Sequence, residues 1–280
     1  MNSNLTNPIA PESIPLKKVH VGDIDIAYKI FGKGEPLLFI PGFYATIDVW
    51  DPIVLGELSS NHTIILFDNR GMGKTTAGNK TWSIEQFAND TSGLIDALGI
   101  QKPVDILGLS MGGYIAQELT LMHPQKVNKL ILYATSCGGN KTLPPQTSPE
   151  IGRSILSGNV SINTFLSTLF PREWLKENAA YVQKVFSPMT LIPKENTQHQ
   201  AQAVLNWVKK GSCDRLSNIS KPTLVITGTD DIISPPANSL VLAEKIPGAW
   251  LVQIKGAGHA AIWQYPQQTT AVLETFLSIN

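Results

Sequence analysis

The stretch 104–119 constrains the fold more than any other part of the sequence. Its first four residues, V-D-I-L, are typical of a buried strand, and residues 114–122 have the apolar spacing of a helix. Between them lies the pentapeptide G-L-S-M-G, which predicts a sharp strand-to-helix turn with Ser110 at its apex. The glycines at positions 108 and 112 lack the Cβ atoms that would collide in so tight a turn.

A serine at such a turn is placed for nucleophilic attack. The helix that follows points its first N–H groups back at the turn, so the N–H of Met111 can donate to negative charge that develops beside Ser110. The pentapeptide also occurs by chance in glycine-rich loops, but its position between a strand and a helix favours the catalytic interpretation. Ser110 is therefore a candidate nucleophile that needs partners elsewhere in the chain.

Continuous apolar runs alternate with helical patterns along most of the chain. The runs I-I-L-F at 64–67 and L-I-L at 130–132 lack the polar–apolar alternation of a half-exposed sheet, which is expected for parallel strands covered on both faces. We predict a mostly parallel eight-stranded α/β sheet with helices on both faces, whose first two strands form an antiparallel hairpin. The predicted strands are residues 17–20, 24–31, 37–40, 63–67, 104–107, 127–134, 223–227 and 250–254.

The strand pattern stops after the sixth strand. Residues 137–216 begin with glycine- and proline-rich turns and continue with several helical patterns, too many for a simple connection. We predict a helical cap at 137–216, inserted between two parts of one core domain, residues 1–136 and 217–280. Residues 1–15, rich in Asn, Ser and Pro, are expected to be flexible.

Composition restricts the kind of ligand. The chain has 280 residues, 42% hydrophobic and 16% charged, with a formal net charge of zero. This balance gives no electrostatic reason to bind nucleic acid or an anionic membrane, so we expect a small, largely uncharged substrate. The N-terminus has no export-signal pattern and no segment approaches 18 apolar residues, so we expect a cytoplasmic protein. Whether it is a monomer or a dimer stays open.

The two cysteines give no sign of a metal centre. Cys137 and Cys213 belong to no C-x-x-C motif and to no cluster with histidines. We therefore predict two free, inert thiols, no disulfide and no metal or other cofactor.

The segment 68–75 resembles part of a phosphate-binding loop. It ends in G-K-T after a strand, but the motif requires a glycine where this chain has Asp68. Nucleotide binding is therefore disfavoured. We expect a glycine-rich turn in which Arg70 is held by neighbouring carbonyls or carboxylates.

A serine hydroxyl needs a base, and the base needs an orienting acid. His259 lies directly after the last predicted strand, where loops gather at the carboxyl edge of a parallel sheet. Asp230 and Asp231 follow the preceding strand in the same way, and the spacing alone does not choose between them. The other histidines fall in turns, at a helix end or in the cap: His20, His62, His123 and His199.

From residue 19 onward the chain resembles the α/β-hydrolase superfamily, in the branch with a helical cap. The order of Ser110, a carboxylate and His259 matches that family's order of nucleophile, acid and histidine. The family acid stands in the frame G-x-x-D-x-x-x-P, which Asp231 fits. The resemblance therefore implies the α/β-hydrolase fold with Asp231 as the acid and Asp230 as its neighbour in the turn.

The resemblance also implies an oxyanion hole. The segment P-G-F at 41–43 matches the family's loop after the third strand, and the match implies that the backbone N–H groups of Phe43 and Met111 bind the oxyanion. Pro41 stands where the family more often has histidine, so the hydrogen bonds of that histidine are lost. A serine nucleophile disfavours the relatives that open epoxides or displace halide, since those use aspartate.

The resemblance implies a serine hydrolase that works through an acyl-enzyme, and a carboxylesterase (EC 3.1.1) acting on a small or medium uncharged ester is preferred. Hydrolysis of a C–C bond, lactone or thioester, and perhydrolysis, use the same residues and stay as alternatives. Another alternative is a slow-hydrolysing ligand sensor that signals through the cap.

The pocket is the part for which the sequence gives least guidance. Tyr44, Ile232 and Trp207 are its candidate residues. Arginines of the cap region could bind a substrate carboxylate, which would favour a C–C hydrolase, but a surface role is preferred for them. These arginines are Arg153, Arg172 and Arg215.

Overall fold

Eight strands form one sheet at the centre of the molecule in the computed structural model, which describes residues 8–186 and 192–279. The spatial order is β1-β2-β4-β3-β5-β6-β7-β8, with β2 antiparallel to β1 and β4 and all other pairs parallel. The predicted mostly parallel sheet and its N-terminal hairpin are therefore confirmed. The strands are β1 Lys17–Val21, β2 Ile24–Gly32, β3 Glu35–Ile40, β4 His62–Phe67, β5 Val104–Leu109, β6 Val127–Tyr133, β7 Thr223–Gly228 and β8 Trp250–Ile254.

Helices cover both faces of this sheet. Alternate residues of β3 belong to two separate apolar cores, since Leu37 and Phe39 pack on one face and Leu38 and Ile40 on the other. This two-sided burial explains the continuous apolar runs in the sequence. The helices are α1 Pro52–Leu58, α2 Ile84–Ala97, α3 Met111–Met122, α4 Pro149–Leu156, α5 Ile162–Leu169, α6 Arg172–Glu177, α7 Ala179–Phe186, α8 Lys194–Lys210, α9 Pro236–Lys245, α10 Ala261–Gln264 and α11 Pro266–Leu277. Within the described residues, no helix has the length and apolar character needed to span a bilayer.

The N-terminal segment packs on the core where the structure describes it. Pro11 is buried, its carbonyl accepts a hydrogen bond from Lys29 Nζ at 2.8 Å, and the N–H of Ile9 donates to the carbonyl of Pro52. Residues 8–15 therefore have defined contacts with the core, and the flexibility expected for residues 1–15 stays a prediction. Residues 1–7 lie outside the described part of the chain.

A helical insertion, residues 137–216, lies between β6 and β7. In its described residues it contains α4 to α8 and no strand. Cys137 at its start and Cys213 near its end are joined by a disulfide, with their Cα atoms 4.9 Å apart. The prediction of two free thiols is therefore wrong. The two ends of the insertion lie close together because β6 and β7 are neighbours in the sheet. The cysteines are 76 positions apart in the sequence, so their spacing alone does not show this proximity.

Both ends of the insertion are also fixed to α3. The amide of Gln117 donates to the carbonyl of Ser136 at 2.9 Å and accepts from the hydroxyl of Ser212 at 2.6 Å. At the next residue of α3, the buried carboxylate of Glu118 accepts from the indole N–H of Trp207 at 2.7 Å and from Arg215 at 2.9 Å. The helix that begins after Ser110 therefore also positions the insertion.

The turn at 68–76 is stabilised by carboxylates, as predicted for Arg70. The Arg70 side chain is fully buried and donates to the carboxylates of Asp23 and Asp90 at 2.8–2.9 Å, and to the carbonyl of Ala77. Such paired, charge-assisted hydrogen bonds offset the cost of burying the guanidinium. Asp68 occupies the place where a phosphate loop has glycine, and burial raises the pKa of its carboxyl to about 6.

The strand-to-helix turn at Ser110 brings backbones into close contact. A Cβ atom at position 112 would lie 2.1 Å from the carbonyl oxygen of Ile40, and one at position 108 would lie 2.3 Å from that of Gly112. These distances are far below a van der Waals contact, so glycine is required at both positions. The turn is thereby packed against the end of β3, the strand that leads to Phe43.

We expect Gly112→Ala to lose about 1–3 kcal/mol of stability or more, because the carbonyl of Ile40 belongs to the sheet and cannot move aside. Gly152→Ala is the matched control, since its Cβ would meet only Thr147 Oγ1 at 3.8 Å within helix α4. The control is expected to be neutral or up to about 1 kcal/mol more stable. Urea denaturation of both variants measures this, and equal stabilities would contradict the packing argument.

We expect the contribution of Asp23 to stability to depend on pH. The Arg70 guanidinium holds the pKa of the Asp23 carboxyl well below its ordinary value. The stabilisation is thus full above about pH 4, where the carboxyl of the unfolded chain is also charged, and it is lost as the pH falls through the lower folded value. The difference in unfolding free energy between wild type and Asp23→Asn should shrink from pH 7 to pH 3. A difference that grows on acidification would refute this role.

Candidate active site

Ser110 lies between β5 and α3 in a strained backbone conformation. Its φ is 54° and its ψ is −117°, in the region that side chains other than glycine rarely adopt. The neighbours hold it there: its N–H donates to the carbonyl of Tyr133, and its carbonyl accepts from the N–H of Gly113 and the hydroxyl of Thr135, all at 2.8 Å. The turn therefore presents the serine side chain in one fixed direction.

The loops after β7 and β8 bring Asp231 and His259 together. His259 Nδ1 lies 2.8 Å from Asp231 Oδ2, and both side chains are buried. The other carboxylate oxygen, Oδ1, accepts from the N–H groups of Ile233 at 2.9 Å and Ser234 at 2.8 Å. Since a carboxylate only accepts, the proton of the neutral imidazole is on Nδ1, which leaves Nε2 free to accept one.

The structure separates the two neighbouring aspartates. Asp230 is exposed, and its carboxylate accepts a hydrogen bond from the hydroxyl of Thr229 at 2.9 Å rather than contacting His259. The other histidines contact residues away from Ser110: His20 with Asp25, His62 with Glu274, His123 with Asn89 and His199 with Trp82.

The expected oxyanion-hole residues lie beside Ser110. A Cβ at Gly42 would be 3.4 Å from Ser110 Cβ, so the segment after β3 passes directly over the serine. Phe43 and Met111 both line the cavity next to Ser110, and Met111 is the first residue of α3, where backbone N–H groups have no partner in the helix. Pro41 replaces the usual histidine, and its carbonyl accepts from Asn69 Nδ2 at 3.3 Å.

Two cavities meet at Ser110. The small one has a volume of about 110 Å³ and the large one about 590 Å³. The small cavity is lined by Gly42, Phe43, Ala45, Val49, Leu109, Ser110, Ile155, Phe165, Leu169, Phe186, Ile233, His259, Ala260 and Trp263. The large cavity extends from Ser110 under the 142–149 loop and between α4 and α8, with Met111, Tyr114, Arg153, Leu156, Val204, Leu205, Val208 and Asn238 in its wall.

The three predicted pocket residues do not line either cavity. Residues next to them line the cavities instead. Trp207 lies behind Tyr114, with the two rings stacked 4.4 Å apart. The backbone N–H of Tyr44 donates to Gln200 Oε1 at 2.8 Å. Ile232 is followed in the chain by Ile233, which lines both cavities. An apolar pattern in the sequence does not tell a pocket wall from the layer behind it.

Of the three arginines, Arg153 borders a cavity. It lies at the large cavity, is mostly exposed, and pairs with Glu150 at 3.1 Å. Arg215 pairs with Glu118, and Arg172 is exposed. Among the residues that the structure describes, no group of three side chains forms a metal centre.

Comparison with known proteins identifies the family of the chain. A sequence model for the alpha/beta hydrolase fold matches residues 35–266. The chain is 28% identical to a putative carbamate hydrolase, RutD, of Azorhizobium caulinodans, covering 86% of this chain and 90% of that one. It is 29% identical to a putative non-heme bromoperoxidase, BpoC, of Mycobacterium tuberculosis, covering 92% and 99%.

Solved structures give the same result. An alpha/beta hydrolase fold protein from Chitinophaga pinensis superimposes with a TM-score of 0.84 at 27% identity over 96% of this chain and 99% of that one. A thermophilic esterase from Thermogutta terrifontis does so with a TM-score of 0.80 at 26% identity, over 94% and 98%. Several relatives are named as hydrolases, which supports hydrolase activity for this chain. From its sequence match, its sheet order and the turn at Ser110, the chain belongs to the alpha/beta hydrolase fold family.

Proposed function

We propose that the protein is a serine hydrolase that cleaves a small or medium-sized, largely uncharged carboxylic ester through an acyl-enzyme. The observation that carries the proposal is the buried Asp231–His259 pair, whose imidazole lines the same cavity as Ser110. The three residues come from loops at the carboxyl ends of β5, β7 and β8. This is the edge of a parallel sheet where such folds place their chemistry.

The mechanism follows from these positions. His259 Nε2 takes the proton of the Ser110 hydroxyl while Oγ bonds to the ester carbonyl carbon, and the carbonyl oxygen becomes an oxyanion. The backbone N–H groups of Phe43 and Met111 donate to that oxyanion. When the intermediate collapses, the C–O bond to the alcohol breaks and the leaving oxygen takes the proton from His259. Water then attacks the acyl-enzyme in the same way, and Asp231 stabilises the imidazolium at both stages.

The cavity linings favour an uncharged ester. Among the described residues around the small cavity, the side chains are apolar apart from Ser110 and His259, whose roles are chemical, and Trp263, whose indole N–H donates to the carbonyl of Val49 at 2.8 Å. Among the described residues that line the large cavity, the cationic side chain is that of Arg153, which is mostly exposed to solvent. The relatives' names include a carbamate hydrolase and a methyl ester esterase of Aeromonas hydrophila, so the comparisons support hydrolysis more broadly than one bond type.

We expect Asp231→Asn to lower kcat for ethyl butanoate by about 10³–10⁴-fold, measured by acid release in a pH-stat. The oxygen of the new amide is held at the Oδ1 position, because two backbone N–H groups donate there. Its NH₂ group must then face Nδ1 of His259, which places the imidazole proton on Nε2 and prevents that atom from accepting the Ser110 proton.

Asp230→Asn is the control for this experiment. It makes the same chemical change at the adjacent, exposed position, and it should retain nearly the wild-type kcat. A serine-directed fluorophosphonate should label Ser110 in the wild type and in the control, and much more slowly in Asp231→Asn. Equal loss of activity in both variants, or labelling at another serine, would contradict the proposed site.

A further inference from the structure

The two cavities at Ser110 differ in which catalytic group they contain. His259 lines the small cavity and not the large one, whereas Met111 lines the large cavity and not the small one. Ser110 and Phe43 line both. An ester bound to Ser110 therefore has one side towards the imidazole and the other towards the start of α3.

This asymmetry fixes which half of an ester each cavity receives. The alcohol oxygen leaves with the proton that His259 carries, so it must lie within hydrogen-bond reach of the imidazole. The acyl carbon stays bonded to Ser110 Oγ, and the acyl chain extends away from the imidazole. The alcohol half thus enters the small cavity and the acyl half enters the large one.

The small cavity limits the alcohol to a few carbon atoms. Its volume is about 110 Å³, which is smaller than an apolar cavity of about 150 Å³ that binds one benzene molecule. A hydroxylated or charged alcohol would lose its water without gaining partners from the described wall, because the indole N–H of Trp263 is already bonded to Val49 and the other described side chains apart from Ser110 and His259 are apolar.

Building on the serine hydrolase function proposed above, we propose that the substrate is an ester of a short-chain alkyl alcohol with a much larger acyl group. The acyl group occupies the large cavity of about 590 Å³ between α4 and α8, whose wall is mainly apolar and carries polar side chains such as Asn238. The enzyme thus selects its substrate by a small leaving group on one side of Ser110 and a long acyl group on the other.

Two isomeric esters test this assignment. Methyl hexanoate and pentyl acetate contain the same atoms and have similar alkoxide leaving groups, but they place the five-carbon chain on opposite sides of the ester. We expect kcat/KM for methyl hexanoate to exceed that for pentyl acetate by at least about tenfold, since each methylene that does not fit costs roughly 10-fold or more. Equal values, or the reverse order, would overturn the assignment.

Enlarging the small cavity tests its role directly. Leu169→Ala removes a side chain that lines the small cavity and not the large one, so it should raise kcat/KM for pentyl acetate and bring the two esters closer together. Val49→Ala also enlarges the small cavity, and it replaces Leu169→Ala in the test if that variant does not fold. Leu240→Ala is the control: it makes the same change at an exposed position on α9, 51% accessible and outside both cavities, and should leave the ratio unchanged.

Labelling of Ser110 by the fluorophosphonate separates this inference from the proposed function. If Ser110 is not labelled and neither ester is cleaved, the serine hydrolase proposal fails, and the cavity assignment fails with it. If Ser110 is labelled but methyl hexanoate is not preferred, including the case in which neither ester is cleaved, only the cavity assignment is overturned. A ratio that Leu169→Ala and Val49→Ala do not change would also overturn it.

Discussion

The hydrogen bonds of the buried Glu118 carboxylate join the helical insertion to the helix that follows Ser110. A charge that is 1% exposed is tolerated only when it is paired, and its partners here are the guanidinium of Arg215 and the indole N–H of Trp207. Both partners belong to the last part of the helical insertion, whereas Glu118 lies two turns along the helix that follows Ser110. The same helix therefore follows the serine directly and anchors the helical insertion beside it.

The partition between the two cavities follows from this arrangement. Ile155 of α4 in the insertion and Ile233 of the loop that carries Asp231 both line the two cavities, as Ser110 does. The insertion is held on α3 through hydrogen bonds to Gln117 and Glu118. The residues between the two cavities thus come from both the core and the insertion.

The parts of the site that were predictable from sequence are those governed by local rules. The turn at Ser110 was predictable because the spacing of its two glycines around the serine is a local pattern between a strand and a helix, and a Cβ atom at position 108 would collide with the carbonyl oxygen of Gly112. His259 was predictable because it lies in the loop after the last strand, where loops gather at the carboxyl edge of a parallel sheet. The choice of Asp231 over Asp230 came from the family frame alone; the structure supplies its physical reason, which is that Oδ1 of Asp231 caps the N–H groups of the next turn.

The remaining features depend on contacts between distant segments, and local patterns do not encode these. Trp207 has the apolar, aromatic character of a pocket residue, yet it lies one layer behind Tyr114, because its N–H is drawn to Glu118 on a different helix. The cysteines are brought together by the order of β6 and β7 in the sheet. Neither relation is visible in the spacing of residues along the chain.

The disulfide between Cys137 and Cys213 has a consequence for the covalent connectivity of the molecule. It closes the insertion into a covalent ring, because its two cysteines are 76 positions apart. In the chain-entropy model, such a ring lowers the conformational entropy of the unfolded chain, which stabilises the folded state by about 4–5 kcal/mol. Ser110 lies before this ring in the chain, and Asp231 and His259 lie after it. A protease that cuts once inside the insertion would therefore leave the nucleophile and its acid–base pair within a single covalent molecule.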